Sequence, residues 1–486
     1  MLISESTHPR ENKFPEKVLQ FGTGVLLRGL CDYLIDKANK KGMFRGSIVV
    51  VKSMGTNTSD FDSQDNLYTC CVRGYIKGEM TSENAVISSI SRVLTAQNHW
   101  KEILATATSP DMSVVISNTT EVGLQYVSEN LNSEDVPESY PGKLTKWLKT
   151  RFDAGLNGVV IVPTELIVDN GDFLKSLVLR HIDEQKLGKD FKAWIENENS
   201  FCNSLVDRIV PGKPNGEELE LLTKELGYED NLLIKSEAYK LWAIQGDEKV
   251  SEVLTFADAD DGVVIEKSIT QYRELKLRML NAPHTMMCAL CFLAGFDTVK
   301  DAMNDPLMEK FITILMLTEL APAVPSSIDP KIVQRYGREI MDRFRNPHLD
   351  HNWHSITFQY TMKLKMRAIP LLMHYYEVFG TVPHYFSRGF AAYILFMKAV
   401  EKRDDKFYGM NAGKEYVIND DQAAWFYEVW QSNDTEEVVL RTLSNEDFWE
   451  LDLRHLPGFE ESVSLHLSNM QSIGVKEVAS ALNVFA

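Results

Sequence analysis

Lys276, Asn281 and His284 stand close together in the segment Tyr272-Arg-Glu-Leu-Lys-Leu-Arg-Met-Leu-Asn-Ala-Pro-His284. These residue types suit the interconversion of a ketone and a secondary alcohol. Moving a hydride to or from carbon requires a group that gives or takes the hydroxyl proton, and donors that steady the developing alkoxide. A lysine can be the proton group when burial or a nearby cation lowers its pKa towards neutrality. An amide such as Asn281 can donate to the alkoxide oxygen, and a histidine such as His284 can hold a substrate hydroxyl. For the three to converge, a helix carrying Lys276 is expected to break at Asn281-Ala282-Pro283. The same residues also fit a plain helix with a surface lysine and an Asn-Ala-Pro stop, so the chemistry leaves both arrangements open.

A hydride needs a carrier, and the N-terminal part of the chain holds a candidate site for one. The apolar run KVLQF (17–21) ends at Gly22-Thr23-Gly24, and an apolar stretch with helical spacing opens at Val25. Strand, glycine turn and helix in that order point a helix N-terminus at a pyrophosphate. The third glycine of the usual fingerprint is missing, since Val25, Leu26 and Leu27 follow Gly24 and only then Arg28-Gly29. The second strand, SIVVV (47–51), runs into Lys52-Ser53 where an acid would normally hold the adenosine ribose. A cation and a hydroxyl there leave NADP open beside NAD. A third polar turn, Ser117-Asn118-Thr119-Thr120-Glu121, follows the strand SVVI (113–116). It suits either cofactor contact or a helix cap.

These elements belong to a larger alternation. Runs 17–21, 47–51, 113–116 and 159–162 are rich in β-branched residues, and helical segments lie between them, which predicts a parallel α/β sheet. Beyond about residue 270 the apolar spacing turns helical, over 284–296, 306–320, 331–344, 355–378 and 386–402. The expected architecture is a Rossmann-type doubly wound parallel sheet over 1–270, binding the dinucleotide, and a mostly α-helical substrate domain over 271–486.

The bulk properties narrow the class of partner. A formal net charge of −18 repels a nucleic-acid backbone. It also means that an anionic substrate needs a locally positive pocket. No apolar run reaches the ~18 residues of a membrane span. The six cysteines are scattered and form no disulfide framework, and the N-terminus is polar and charged. A cytoplasmic protein acting on a small molecule is expected.

Lys276-x-Arg278-x-Leu280-Asn281-x-x-His284 resembles the signature of the mannitol 2-dehydrogenase family of long-chain polyol dehydrogenases. The resemblance continues through QFGTGVLLRG (20–29), ISNTTEVG (116–123), PTELIVDNG (163–171), NSLVDRIVP (203–211), EAYKLWAI (237–244) and AGFDTVKDAM (294–303). The Pro-x-Glu-Leu-Ile-x-Asp-Asn-Gly segment is similar to the branch of tagaturonate reductases. The resemblance implies NAD as cofactor and no metal. It implies Lys276 as general base in oxidation and general acid in reduction, Asn281 and Asn170 as an oxyanion pair, and His284 as a contact to substrate hydroxyls. The family often has Gly after the Asn, whereas Ala282-Pro283 stands here.

A sugar-acid substrate would need a cation for its carboxylate, and arginine suits bidentate recognition. One candidate is Arg345 in Arg343-Phe-Arg345-Asn346-Pro347. The preferred one is the pair Lys363 and Arg367, which share a helix face. His348, His351 and His354 recur every three residues without a placed carboxylate or cysteine except Asp350, so no metal site is expected. Cys288 and Cys291 lie in the apolar stretch MMCALCFLAGF and read as core.

Overall fold

The computed structural model describes residues 1–481 apart from 11, 120–122, 326 and 433. The chain forms two compact units, Met1–Gly74 with Met80–Thr270, and Tyr75–Glu79 with Gln271–Ala486.

The first unit is built on a six-stranded sheet. In spatial order its strands are Ile90–Thr95, Ser47–Lys52, Glu16–Phe21, Val114–Ser117, Val160–Pro163 and Ser200–Phe201, and every pairing is parallel. Numbered along the chain, that order is 3-2-1-4-5-6, the doubly wound arrangement whose switch point lies between strands 1 and 4. Side chains alternate across a strand, and here both faces are covered. Val18, Ile48, Val50, Val114 and Ile116 pack on one side with Leu27, Leu30 and Leu34. Leu19, Phe21, Val49, Val51 and Val115 pack on the other with Leu144, Trp147 and Val178. Two coverings explain why these strands read as unbroken apolar runs.

Two smaller three-stranded sheets complete the strand pairing. One joins Tyr68–Ile76, Glu79–Ile87 and Ile234–Glu237; the other joins Ser204–Asp207, Leu241–Gln245 and Val263–Glu266. Neither is apparent from the apolar runs.

The second unit is mostly helical. Its central rod runs from Thr270 to Leu293 and is buried along Ala282–Cys291. His384–Phe396, Trp353–Ile356 and Tyr360–Arg367 pack against it. A Cβ at Gly389 would lie 2.6 Å from the Met286 carbonyl oxygen, so these two helices meet backbone to backbone. Cys288 and Cys291 are free and buried in this core, and burial pushes the Cys288 thiol up to about 12. The expected helix over 355–378 divides into Tyr360–Arg367 and Ile369–Phe379, because Pro370 cannot continue the first one. The expected helix over 386–402 ends at Phe396, and the chain enters an antiparallel ribbon of Glu401–Arg403, Lys406–Asn411 and Lys414–Ile418. Among the described residues no helix is long and apolar enough to cross a membrane.

Candidate active site

No break follows Lys276. The rod passes from the α-helix Thr270–Leu275 through a π turn, Lys276–Asn281, into the α-helix Ala282–Leu293. In a regular α-helix two residues five apart point roughly 140° away from each other, and two residues eight apart about 80°. A π turn takes up one extra residue, with hydrogen bonds spanning five residues instead of four. That places Lys276 and Asn281 on one face and returns His284 to about 20° from Lys276. Convergence comes from a widened turn inside a continuous helix. Pro283 fits because it sits at the start of the following α-helix, where its missing N–H leaves no bond unmade.

Lys276 and Asn281 are partly buried. Among the described residues no hydrogen bond engages the Asn281 side-chain amide; only its carbonyl is used, accepting from the Thr285 hydroxyl at 2.8 Å. An amide with free donors on the lysine's face can meet a developing alkoxide.

His284 is buried beside Phe344, with ring centroids 4.4 Å apart, and His351, at 4.9 Å. Its Nε2 is buried and has no partner, while the ring's other nitrogen donates to the Leu280 carbonyl. Burial holds the imidazole well below its ordinary pKa, and His351 and Arg343 push the same way. A neutral ring donating from one nitrogen presents a lone pair on the other, suited to a substrate hydroxyl.

The three cations expected around a carboxylate fare differently. Arg345 pairs with the chain's own acids, at 2.5 Å from Glu309 and 3.4 Å from Asp342. Arg367 has no carboxylate partner among the described residues. Its guanidinium donates to the Thr285 hydroxyl at 3.1 Å, one residue past His284. Lys363 donates to the Ile356 carbonyl at 3.1 Å, also without an acid. Burial lowers the pKa of both. Arg278 fastens this segment to the π turn through the Met366 and Arg367 carbonyls at 3.0 and 3.1 Å.

In the first unit the glycine turn lies at the switch point. Gly22 has φ of +125°, and a Cβ there would stand 2.9 Å from the Asn118 carbonyl oxygen. Gly24 is open, with nothing within 4 Å of a Cβ, and Val25 begins the helix. Gly29, past the place of the missing third glycine, has no room for a side chain, since a Cβ there would meet Val210 Cγ1 at 2.8 Å. Gly29 lies in a second π turn, Arg28–Asp32, whose carbonyls are taken by Tyr68 at Arg28 and Arg208 at Gly29.

Asn118 donates to the Thr164 carbonyl and hydroxyl at 3.0 Å each. Thr119 gives its N–H and hydroxyl to Glu165 at 2.9 and 3.0 Å, and Ser117 gives its hydroxyl at 3.1 Å. Glu165 is thus the buried post that shapes this turn, with its pKa raised by burial. Only its place in the PTELIVDNG motif singled it out. Glu121 lies outside the described residues. Lys52 donates to the Asn57 carbonyl at 2.7 Å.

Asn170 is fully occupied. Its amide nitrogen reaches the carbonyls of Pro163, Glu165 and Ser204 at 3.0–3.1 Å, and its oxygen accepts from Ser204 N–H at 2.8 Å. In this arrangement it clamps backbone and has no donor left for an alkoxide.

Residues 16–256 match the family model of the mannitol dehydrogenase Rossmann domain, and residues 268–471 that of the mannitol dehydrogenase C-terminal domain. The chain belongs to the mannitol dehydrogenase family. An altronate oxidoreductase of Halalkalibacterium halodurans is 35% identical to this family member, over 97% of this chain and 94% of that protein. One of Bacillus subtilis is 34% identical, over 98% and 96%. The fold is shared with a substrate-free D-sorbitol dehydrogenase at a TM-score of 0.78 and 20% identity, covering 99% and 100% of the two chains. It is also shared with a Pseudomonas fluorescens mannitol 2-dehydrogenase in ternary complex with NAD and D-mannitol, at 0.66 and 22%, covering 99% of each.

In this mannitol dehydrogenase family member the first unit fits a dinucleotide. Only glycine fills the tight approach at Gly22, Gly24 leaves room for a phosphate, and the helix from Val25 presents its N-terminus there. Among the described residues no group of three or more histidine, cysteine, aspartate or glutamate side chains could hold a metal ion. The spaced histidines go elsewhere: His354 bonds the Val417 carbonyl at 2.9 Å, and His351 faces His284.

Proposed function

We propose that this chain is an NAD-dependent tagaturonate reductase, an altronate oxidoreductase, that interconverts the keto group of a hexuronate with a secondary alcohol. The observation that carries the substrate class is Arg367. It is a half-buried guanidinium without an acid partner among the described residues, tied to the helix that bears Asn281 and His284. An uncharged polyol gives such a group no counter-charge. The full-length likeness to altronate oxidoreductases at 34–35% identity supports the same reading.

A bound nicotinamide supplies the hydride. The chain's residues do the rest. Arg367, with Lys363, takes the carboxylate. Asn281 donates to the keto oxygen as negative charge grows on it, and Lys276 passes it a proton from Nζ. In the oxidative direction Lys276 takes that proton back. His284 accepts from a substrate hydroxyl and fixes the sugar chain. Asn170 acts as a positioning residue for the turn that carries Glu165. A cytoplasmic setting suits six free cysteines.

The test is NADH oxidation by purified protein with tagaturonate, fructuronate and fructose side by side, and a Lys276→Ala control. Tagaturonate should turn over fastest. The control should lose about 10²–10⁴ in kcat while still binding NADH. Faster reduction of fructuronate would make the protein a mannonate oxidoreductase. Faster reduction of fructose would make it a polyol dehydrogenase and remove the role of Arg367.

A further inference from the structure

The loop that follows Phe344 is tied down at several points along its length. Asn346 is buried, its side-chain oxygen accepts from His348 N–H at 3.1 Å, and its carbonyl accepts from Leu349 N–H at 3.3 Å. Val299 N–H donates to the His351 carbonyl at 2.9 Å, and Trp353 N–H to Asp297 at 3.0 Å. Lys300 closes the outer side, 2.8 Å from the Pro347 carbonyl and 2.7 Å from Asp350. The side chain fixed between these anchors is His351.

Its ring stands edge-on to His284, at 4.9 Å and 64° between planes. Histidines packed among aromatic rings are often only core, and His354 is such a case, with its nitrogen satisfied by Val417 and its ring against Phe292. The pair His284–His351 differs. Nε2 of His284 is buried without a partner. No described group bonds the His351 ring nitrogens. Burial, and then Arg343, keep His351 below its ordinary pKa, so this wall presents two neutral imidazoles.

We infer that His351 is a second substrate-reading residue, which together with His284 senses the configuration of neighbouring hydroxyls on the sugar acid. This rests on the hexuronate reading above. His284 offers only its Nε2 acceptor, since its other nitrogen donates to Leu280, while His351 offers one donor and one acceptor, and the two rings fixed edge to face hold hydroxyls in one relative orientation. Inverting one carbon turns its hydroxyl away and leaves an imidazole unpaired, which is how a polar site rejects an isomer.

The experiment compares kcat/KM for tagaturonate and fructuronate in the wild type, His351→Phe and His351→Asn, with NADH binding followed by fluorescence. Phenylalanine keeps the ring contact with His284 and removes both nitrogens. The expected result is that His351→Phe shrinks the preference between the two uronates about tenfold, mainly through KM. Asparagine should restore part of it, and NADH affinity should stay within about twofold. A preference unchanged within about twofold in His351→Phe overturns the role of His351 alone. A wild-type protein that reduces neither uronate overturns the hexuronate reading, and this inference with it.

Discussion

Arg367 donates a 3.1 Å hydrogen bond to the hydroxyl of Thr285, which in turn donates to the Asn281 carbonyl. The guanidinium is therefore registered to the turn that carries the chemistry. Charge-assisted bonds to a carboxylate contribute about 1.5–3 kcal/mol. Arg367→Ala should raise KM for tagaturonate roughly tenfold to a hundredfold and leave reduction of fructose, an uncharged ketose, within about threefold. Arg345→Ala, which removes a guanidinium already paired with Glu309, should leave both KM values alone. Steady-state kinetics on the two variants decide this.

The two asparagines should separate cleanly. Asn170→Ala strips partners from Ser204 N–H and three carbonyls inside the first unit. Leaving such groups buried and unpaired costs about 1–3 kcal/mol each in the worst case, so the melting temperature should fall by several degrees. Asn281→Ala removes a side chain with no described hydrogen bond. It should melt like the wild type and lose roughly a hundredfold or more in kcat. Equal melting temperatures for the two variants would contradict the clamp role of Asn170.

Glycines at the cofactor turn divide in the same way. Gly22→Ala forces a Cβ onto φ of +125° and against the Asn118 carbonyl, so NADH binding should weaken. Gly29→Ala pushes into Val210 and should act on stability first. Fluorescence titration of NADH beside thermal melts reports both effects.

Glu319 predicts a pH dependence. Its carboxylate accepts from Tyr385 and Phe386 N–H at 2.9 and 2.7 Å, yet burial raises its pKa from 4.5 to about 7. The folded value lies above the unfolded one, so folding takes up a proton. The stabilising contribution is full below about pH 4.5 and is lost as the pH rises through 7. Glu319→Gln has no proton to lose. Relative to the wild type, its melting temperature should improve between pH 5 and about 8, and a constant difference over that range would refute the assignment.

Much of this was legible in the sequence, for identifiable reasons. Strands such as Ser47–Lys52 declare themselves because both faces are buried and neither tolerates polar residues. Ile90–Thr95 does not, since it is the sheet's edge and carries Arg92, paired with Glu16 at 2.8 Å. Lys276, Asn281 and His284 stood out by type and spacing, but the π turn that aligns them has no residue signature of its own. Gly29 looked like a failed motif because its partner, Val210, is distant in the chain. Arg345 and Arg367 look alike as letters, and only the structure shows acids beside the first and none beside the second among the described residues.

The widened turn at Lys276–Asn281 also gives the rod one residue of slack. A π turn is one residue in excess of a regular helix. Deleting one residue within it would relax the rod to a smooth α-helix in which Lys276 and His284 keep the angle of about 20° between them, whereas deleting one residue from a regular stretch of the rod would swing everything upstream by about 100°. A deletant of the second kind could fold well and bind its coenzyme while holding its lysine out of reach of the substrate. Where along this helix a residue is lost therefore decides whether a descendant of this protein falls silent without falling apart.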